Sequence, residues 1–341
     1  MPMNPPNQAV STVRLGSTGP QVFPVALGCM GMSGMYGPAD EAESIATIHA
    51  ALELGINVLD TGDFYGQGHN EMLIGRAIAD RRNRALLSVK FGALRGPDGS
   101  WGGVDTRPVA IKNFLGYTLT RLGVDHIDIY RPARLDPNVP IEDVVGTIAD
   151  LKKAGYVRFI GLSEVGADTL KRAQAVHPIV DLQIEYSLVS RNPEERIVPC
   201  MRVLGIAMTA YGVLSRGMLA GSRPSASGDY RANLPRFAGD NAAKNQRLVD
   251  ALGKLAQERG VSPAALAIAW VMSRGKDIIP VIGARTRQQL GEIPVALGLR
   301  LSTDELNRIE AAVPVSEVAG TRYQEELMKH LDSELGPLEP G

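Results

Sequence analysis

The sequence is poor in features that mark several large classes of protein. It has only two cysteines, Cys29 and Cys200, among 341 residues, and neither has neighbours at metal-ligand spacing. A disulfide framework is therefore excluded, and a reducing compartment such as the cytoplasm is expected. The 36 basic residues nearly balance the 37 acidic ones, so the net charge of -1 lacks the basic excess of nucleic-acid-binding proteins.

The chain also lacks an apolar run long enough to cross a membrane. Its most apolar helical stretch, residues 264–272, is shorter than the roughly 20 residues that a bilayer requires. The first ten residues are polar and proline-rich, without the apolar centre of a signal peptide. We therefore expect residues 1–11 to form a disordered arm, no nucleic-acid or membrane partner, and a small-molecule substrate. The oligomeric state is left open.

The sequence does contain a regular alternation of short apolar runs and longer amphipathic stretches. This alternation is typical of βα units around a parallel sheet. Seven to eight such strands favour a single (β/α)8 barrel over an open sheet. The predicted strands cover residues 25–28, 57–60, 85–90, 127–131, 159–162, 182–185, 207–211 and 278–282, after a hairpin that begins at residues 13–15.

Capping residues mark where the helices begin and end. Ser302 with Glu305 three residues later predicts a capping box, and Gly55 and Gly123 each follow a helical pattern that they are expected to end. Residues 222–241 are rich in proline, glycine, serine and arginine. A loop of this length inside a compact domain is usually a lid or a binding loop.

One common dinucleotide-binding signature is missing. The early glycines, Gly28, Gly31, Gly34 and Gly37, do not have the G-x-G-x-x-G spacing of a Rossmann unit. A dinucleotide that binds to this chain must therefore be held by a different arrangement.

Charged residues at two neighbouring strand ends carry the strongest chemical signal. Asp60 ends one predicted strand, Tyr65 follows it in a glycine-flanked loop, and Lys90 ends the next strand. Strand ends form the catalytic face of a barrel, and a lysine there needs a counter-charge, for which Asp60 is the natural candidate. An ammonium group near Tyr65 would lower the phenol's pKa from about 10 and make it a proton donor. Singly, each residue also has an ordinary structural interpretation.

Together with other segments, these residues resemble the aldo-keto reductase family over about residues 12–315. The resemblance implies one barrel domain, a C-terminal tail over residues 316–341, and reversible NADPH-dependent reduction of an aldehyde or ketone to an alcohol. The matching segments are Leu15-Gly16, residues 27–33, Leu59-Asp60-Thr61, Tyr65-Gly66, Gly161-Leu162-Ser163, residues 183–187, Ala210-Tyr211, Arg216-Gly217, Ile279-Pro280 and residues 283–290.

The resemblance also implies a role for each matching residue. Tyr65 would be the general acid in reduction, Lys90 would tune it, and Asp60 would hold Lys90. Two arginines at the adenosine end would suit a 2′-phosphate and favour NADP(H) over NAD(H). The implied cofactor contacts are Gly28, Cys29, Met30, Ser163, Gln183 and Tyr211 for the nicotinamide riboside, Leu214, Arg216 and Gly217 for the pyrophosphate, and Gly283, Arg285, Arg287 and Gln289 for the adenosine.

The chain departs from the family pattern at three positions. Ala133 stands where the family has a histidine that orients the substrate carbonyl, Glu164 where many members have asparagine, and Ile293 where asparagine often faces the adenine. Three consequences of Ala133 are open: Arg131 or Arg134 supplies the missing hydrogen bond, a water fills the space, or the site is widened for a bulky ketone. We favour the third.

Two other functions compete with the reductase. A non-catalytic NADP(H)-sensing subunit would account for Ala133, and a Schiff-base enzyme of the aldolase kind would use Lys90 as its nucleophile. No metal site is predicted, because the histidines show no ligand spacing with one another or with cysteine.

Overall fold

Eight parallel strands close into a barrel in a computed structural model that describes residues 10–224 and 229–334. The N-terminal hairpin pairs β1 (Val13–Arg14) with β2 (Gln21–Val22), and a second hairpin pairs β6 (Ala93–Arg95) with β7 (Trp101–Val104). The predicted (β/α)8 barrel with an N-terminal hairpin is confirmed. In their order around the barrel its strands are β3 (Ala26–Gly28), β4 (Val58–Gly62), β5 (Leu86–Phe91), β8 (Ile127–Pro132), β9 (Val157–Ser163), β10 (Ile179–Glu185), β11 (Ala207–Tyr211) and β12 (Ile278–Gly283).

Helices connect the strands on the outside of the barrel, as right-handed βα crossovers require. Among the described residues, no helix combines the length and the apolar character needed to cross a membrane. The helices are α1 (Glu41–Glu53), α2 (His69–Ile78), α3 (Pro108–Leu122), α4 (Ile141–Lys153), α5 (Ala167–Val176), α6 (Ile197–Leu204), α7 (Gly239–Glu258), α8 (Pro263–Ser273), α9 (Arg287–Leu290), α10 (Glu292–Gly298), α11 (Thr303–Ala312) and α12 (Glu325–Met328).

Local capping chemistry explains several of these boundaries. Ser302 and Glu305 form the predicted capping box at the start of α11, where each side chain accepts from the other residue's backbone N–H. Asp40 caps α1 by accepting from the Glu43 backbone N–H at 2.7 Å. Gly123 ends α3 at a φ of 66°, which a residue with a Cβ adopts only at a cost.

The predicted long loop over residues 222–241 is wrong in its extent. Helix α7 already begins at Gly239, and two 3-10 turns, Tyr230–Asn233 and Pro235–Phe237, precede it. Arg236 explains this order, because its buried guanidinium donates to Glu185 and to the carbonyl of Val189 and so fastens the segment to the barrel. Residues 225–228 lie outside the described residues, as do residues 1–9 of the predicted arm.

The segment after α11 runs back across the carboxyl ends of the strands. Asn245 of α7 bonds the backbone of Ala319 in both directions, and Asp332 accepts from the Gly166 backbone N–H at 2.7 Å. These anchors hold residues 319–334 over the end of the barrel where functional residues are expected. We call this stretch the C-terminal strap.

Candidate active site

Asp60 and Lys90 form a buried ion pair at the barrel mouth. Strands β4 and β5 are in parallel register, with Gly62 opposite Lys90, and the Lys90 Nζ lies 2.6 Å from an Asp60 carboxylate oxygen. The other oxygen of Asp60 accepts from the Ser88 hydroxyl at 3.0 Å and from the Gln183 amide at 2.8 Å. These donors satisfy the carboxylate, so the ion pair is stable despite its burial.

Tyr65 lies beside this pair, as the sequence predicted. The Lys90 Nζ is 5.2 Å from the centre of the Tyr65 ring, and Phe64 packs edge-on against that ring at 4.8 Å. The turn that follows places Gly66 and Gln67 at φ values of 55° and 51°. Left-handed backbone at a non-glycine residue is strained, and such strain concentrates at functional sites.

The expected lowering of the Tyr65 pKa is wrong. Burial raises the pKa of Tyr65 well above 10, the charge of Asp60 raises it further, and the charge of Arg134 opposes this. The Lys90 ammonium near the ring favours the phenolate, but burial and the charge of Asp60 outweigh it. Burial also lowers the pKa of Lys90. Tyr65 is therefore a neutral phenol with a proton to give.

The two arginines weighed as substitutes for the missing histidine lie in different places. Arg131 is fully buried in the barrel, where it donates to Asp181 at 2.9 Å, to Thr209 and to Ser88. Its hydrogen bonds hold the barrel interior together and leave it unable to reach a substrate.

Arg134 instead faces the barrel mouth. It follows Ala133, which is 2% exposed, and donates to the Ala133 carbonyl at 2.6 Å. Its other terminal nitrogen lies 3.3 Å from the hydroxyl of Tyr323 in the C-terminal strap. Of the two arginines, only Arg134 can contact a ligand in the mouth.

The residues expected around the nicotinamide include a hydroxyl without a partner. The Ser163 Oγ at the end of β9 is buried and makes no hydrogen bond to any described residue. Gln183 lies on the neighbouring strand, opposite Ser163, and Tyr211 lies at the end of β11. An unpartnered buried hydroxyl calls for explanation, and a ligand amide would satisfy it. These residues therefore fit a nicotinamide carboxamide.

The other residues of this set are close by. Gly28 ends β3 between Asp60 on one side and Gly283 on the other. The Cys29 backbone N–H donates to the Asp60 carbonyl, and burial raises the pKa of the Cys29 thiol, so it is an inert packing group. Met30 begins the 3-10 turn that follows.

Glu164 does not face the place expected for the carboxamide. Its carboxylate accepts from both terminal nitrogens of Arg322, at 2.9 and 2.8 Å, from the Tyr211 hydroxyl at 2.7 Å and from Ser333 at 2.6 Å. Burial alone would raise the pKa of Glu164, but the guanidinium groups of Arg322 and Arg134 outweigh it and hold that pKa below its usual range. Glu164 is thus the anchor for the C-terminal strap.

A second carboxylate binds the residues expected at the pyrophosphate. Glu185 accepts from Arg216 at 3.0 Å and from Arg236 at 3.1 Å, and these cations hold its pKa at about 2 although burial raises it. The guanidinium of Arg216 lies 4.7 Å from the ring centre of Tyr323. Arg216 has a φ of 55° and precedes Gly217, so this turn is also left-handed. Leu214 packs half-buried against the core.

The residues expected at the adenosine end are also engaged within the protein. One terminal nitrogen of Arg285 donates to the Tyr36 carbonyl at 3.0 Å, and Gln289 accepts from the Arg285 backbone N–H. Arg287 pairs with Glu43 of α1 at 2.8 Å. A 2′-phosphate at this place would compete with Glu43 for Arg287.

The sequence analysis missed the C-terminal strap as part of the site. Arg322 lies 158 residues from Glu164, and Tyr323 lies 112 residues from Tyr211, whose hydroxyl it meets at 3.0 Å. No local motif marks such contacts, and the only available signal was an arginine and an aromatic residue in a segment read as a tail. Within the described residues, no group of three potential metal ligands occurs.

Comparisons with known proteins identify related sequences and structures. The sequence model described as "Aldo/keto reductase family" matches residues 24–314. A probable aldo-keto reductase from Glycine max is 39% identical over 321 residues, which cover 92% of each chain. A glycerol dehydrogenase from Gluconobacter oxydans has a similar structure, with a TM-score of 0.80, 28% identity, and coverage of 98% of this chain and all of that one. An aldo-keto reductase from Bacillus halodurans, solved in its holo form, has a TM-score of 0.75, 25% identity, and coverage of 93% and 99%.

Proposed function

Because the chain belongs to the aldo/keto reductase family, and is thus an oxidoreductase, we propose that it reduces an aldehyde or ketone to the alcohol with NADPH. The observation that carries the proposal is the cluster of Tyr65, Lys90 and Asp60 at the ends of β4 and β5, with the unpartnered Ser163 hydroxyl across the mouth. The cluster offers a proton donor and the free hydroxyl suits a carboxamide, so both support the proposal.

The chemistry follows from the protonation states of these groups. When bound, reduced nicotinamide supplies a hydride to the carbonyl carbon. Tyr65 gives its phenolic proton to the carbonyl oxygen, so that the C=O bond becomes CH–OH. The raised pKa keeps this proton on Tyr65 at neutral pH. The Lys90 ammonium stabilises the phenolate that remains, and Asp60 keeps the ammonium in position.

The remaining residues would hold the dinucleotide. Ser163 and Gln183 would bond the carboxamide, Tyr211 would lie against the ring, and Arg216 with Leu214 and Gly217 would follow the pyrophosphate. In the adenosine pocket, Arg285 and Arg287 favour a 2′-phosphate by their charge. The Glu43–Arg287 pair opposes this preference, so NADPH and NADH must be compared directly.

Ala133 supports a bulky ketone as the substrate. An imidazole at this position would project toward the reacting carbonyl, and a methyl group leaves that volume to the substrate. The two free thiols, Cys29 and Cys200, fit a reducing compartment such as the cytoplasm, which we include in the proposal.

The rival functions have less support. A Schiff base requires a neutral, accessible amine at Lys90, whereas this amine is buried against Asp60 at 2.6 Å. A non-catalytic NADP(H) sensor is favoured only by Ala133, and the intact Tyr65–Lys90–Asp60 cluster speaks against it.

The test is NADPH oxidation, followed by absorbance, against a panel of aldehydes and bulky ketones, with NADH in parallel. We expect turnover that falls about 10²- to 10⁴-fold in Tyr65→Phe, the usual contribution of a general acid. The matched control is Tyr117→Phe on the surface of α3, where the ring is 59% exposed. Tight NADPH binding without turnover of any carbonyl would instead establish the sensor.

A further inference from the structure

The C-terminal side of the barrel mouth has one more arginine than it has carboxylates. Four arginines, Arg134, Arg216, Arg236 and Arg322, meet three carboxylates, Glu164, Glu185 and Glu334, which leaves a formal excess of 4 − 3 = +1. Among these four arginines, only Arg134 makes no ion pair with a described carboxylate.

The carboxylate that acts on Arg134 through space is already bonded to other groups. Glu164 already accepts from both terminal nitrogens of Arg322, and from the hydroxyls of Tyr211 and Ser333. Because these bonds occupy both of its oxygens, the carboxylate lowers the energy of Arg134 only through space. Burial lowers the pKa of Arg134, but Tyr323, Tyr211 and Glu164 outweigh burial and keep the group charged. No described carboxylate bonds the guanidinium directly.

Arg134 keeps most of its hydrogen-bonding capacity free. A guanidinium has five N–H donors, and the described contacts of Arg134 use two of them, at the Ala133 carbonyl and at the Tyr323 hydroxyl. The Tyr323 ring lies 5.8 Å from the guanidinium carbon. Backbone and ring thus fix the orientation of the planar group, which still presents donors for a bidentate partner.

The position of Arg134 in the barrel mouth indicates which bound molecule would supply an anion to it. The Tyr323 hydroxyl contacts both the Arg134 guanidinium, at 3.3 Å, and the Tyr211 hydroxyl, at 3.0 Å, so Arg134 lies beside the residues expected to hold the nicotinamide. The charge of Arg134 also lowers the pKa of Tyr65, in keeping with this position. The residue before Arg134 is Ala133, at the position where the family has its histidine. The residues assigned to the pyrophosphate and adenosine follow β11 and β12, whereas Arg134 follows β8. An anion at Arg134 therefore belongs to the substrate.

We propose that Arg134 binds a carboxylate of the substrate, so that the chain reduces oxo acids in which the carboxylate lies a few atoms from the carbonyl. The inference rests on the proposed function and specifies its substrate class. Arg134 acts as a positioning residue here: it orients the carbonyl toward Tyr65 through the carboxylate, a task that the family assigns to the histidine absent at position 133.

Arg95 is the other cation near Tyr65 without a described carboxylate partner. It lies on β6, with its guanidinium carbon 5.9 Å from the Phe64 ring and 5.4 Å from the Trp101 ring. Because aromatic groups on two sides stabilise this cation, it needs an anionic ligand less than Arg134 does. Arg95→Gln therefore serves as the competing variant in the test.

The experiment compares oxo acids with their methyl esters. Phenylglyoxylate, 3-benzoylpropionate and 4-carboxybenzaldehyde vary the distance between carboxylate and carbonyl. We expect the wild-type protein to prefer at least one acid over its ester, and Arg134→Gln to raise KM for that acid about 10- to 100-fold, the range of one charge-assisted contact. The kcat for the ester should change little. Arg134→Lys should recover part of the preference, and Arg308→Gln on the outer surface should leave it unchanged.

Three results would overturn the inference: equal use of every acid and its ester, a preference that survives Arg134→Gln, or a preference lost in Arg95→Gln alone. Failure of the proposed function gives a different result, since then neither acid nor ester is turned over. In that case calorimetry with 3-benzoylpropionate decides: binding that Arg134→Gln abolishes supports the carboxylate site, and binding that is absent or unchanged refutes it. Circular dichroism confirms that each variant is folded.

Discussion

The two sides of the barrel mouth are built in different ways. On the side of β4 and β5, the reacting groups Asp60 and Lys90 lie 30 residues apart, and the register of two adjacent strands brings them together. On the side of β9 to β11, Glu164 and Glu185 are met by arginines from distant segments, with Arg322 lying 158 residues from Glu164. The first side follows from the barrel alone, whereas the second needs the C-terminal strap to close it.

The two sides therefore have different roles: the β4–β5 side carries the reacting groups, and the β9–β11 side holds the strap over the cavity. The β4–β5 side holds one ion pair next to a neutral phenol, the minimum for proton transfer. The β9–β11 side binds each carboxylate with two or more donors, a network that orders a surface segment over the cavity. A change on the first side should therefore impair turnover, and a change on the second should loosen the strap.

The largest effect is expected from Lys90→Met on the β4–β5 side of the mouth. Loss of the ammonium removes the charge that stabilises the Tyr65 phenolate, so kcat should fall about 10²- to 10⁴-fold. The dissociation constant for NADPH should change only a few-fold, since the Lys90 ammonium bonds Asp60 and not a residue assigned to the cofactor. Steady-state kinetics and calorimetry measure the two quantities. A loss of NADPH binding as large as the loss of kcat would show that the Lys90 side chain also shapes the cofactor pocket. The control is Lys112→Met on the surface of α3.

The next largest effect is expected from Arg322→Met on the other side. The substitution leaves Glu164 buried with its hydroxyl donors but without its cation, which costs about 3–5 kcal/mol. The loss should be local: the strap should detach and become sensitive to protease while the barrel stays folded. Mass spectrometry after limited proteolysis detects this. Adding Glu164→Gln to Arg322→Met should recover part of the protection, because the unpaired charge is then gone. Protection equal to wild type in Arg322→Met would refute the role of the pair.

The same contrast explains what the sequence could predict. Asp60, Tyr65 and Lys90 were found because strand ends and their charges are local patterns, and barrel geometry converts such patterns into neighbours. The strap was not found because its contacts depend on where a non-periodic segment lies in space. Arg287 shows a further limit: its charge was visible in the sequence, but its pairing with Glu43 of α1 was not.

The wrong expectation on the β4–β5 side of the mouth concerned the pKa of Tyr65. The sequence placed a lysine near Tyr65 and predicted a lowered pKa, but a pKa depends on the sum of burial and all nearby charges. At Tyr65, burial and the charge of Asp60 outweigh the charge of Lys90. The spacing of residues in a sequence indicates which groups meet, and it does not report how much water they lose.

The raised pKa of Tyr65 predicts a difference between the two directions of the reaction. Reduction needs the protonated phenol, so its rate should stay level as pH rises through the neutral range. Oxidation of the alcohol needs the phenolate, whose fraction rises about tenfold per pH unit below the pKa, so its rate should climb with pH. Rate profiles for both directions at saturating cofactor test this. A reduction rate that falls with pH near neutrality would show a phenol with an ordinary or lowered pKa.

The titration of Asp63 is a second source of pH dependence and must be distinguished from that of Tyr65. Burial and the charge of Glu71 raise its pKa to about 7, and it follows β4 close to Tyr65. Asp63→Asn removes the titration, and the rise of the oxidation rate with pH should persist in this variant. A rise that disappears with Asp63 would assign the profile to that carboxyl group.

The smallest effect is expected from a comparison of two buried serines, of which only one has hydrogen-bond partners. The Ser163 hydroxyl is buried without a partner, whereas the Ser88 hydroxyl donates to Asp60 and accepts from Arg131. Ser163→Ala should leave the melting temperature equal or slightly higher, since an unsatisfied polar group is removed, and should weaken NADPH binding by about 0.5–1.5 kcal/mol. Ser88→Ala should lower the melting temperature instead, because it leaves charged partners short of a hydrogen bond. If Ser163→Ala lowers stability and leaves the NADPH affinity unchanged, its hydroxyl is a structural group and the carboxamide lies elsewhere. If Ser163→Ala raises the melting temperature but weakens NADPH binding, the partner of the Ser163 hydroxyl is the ligand.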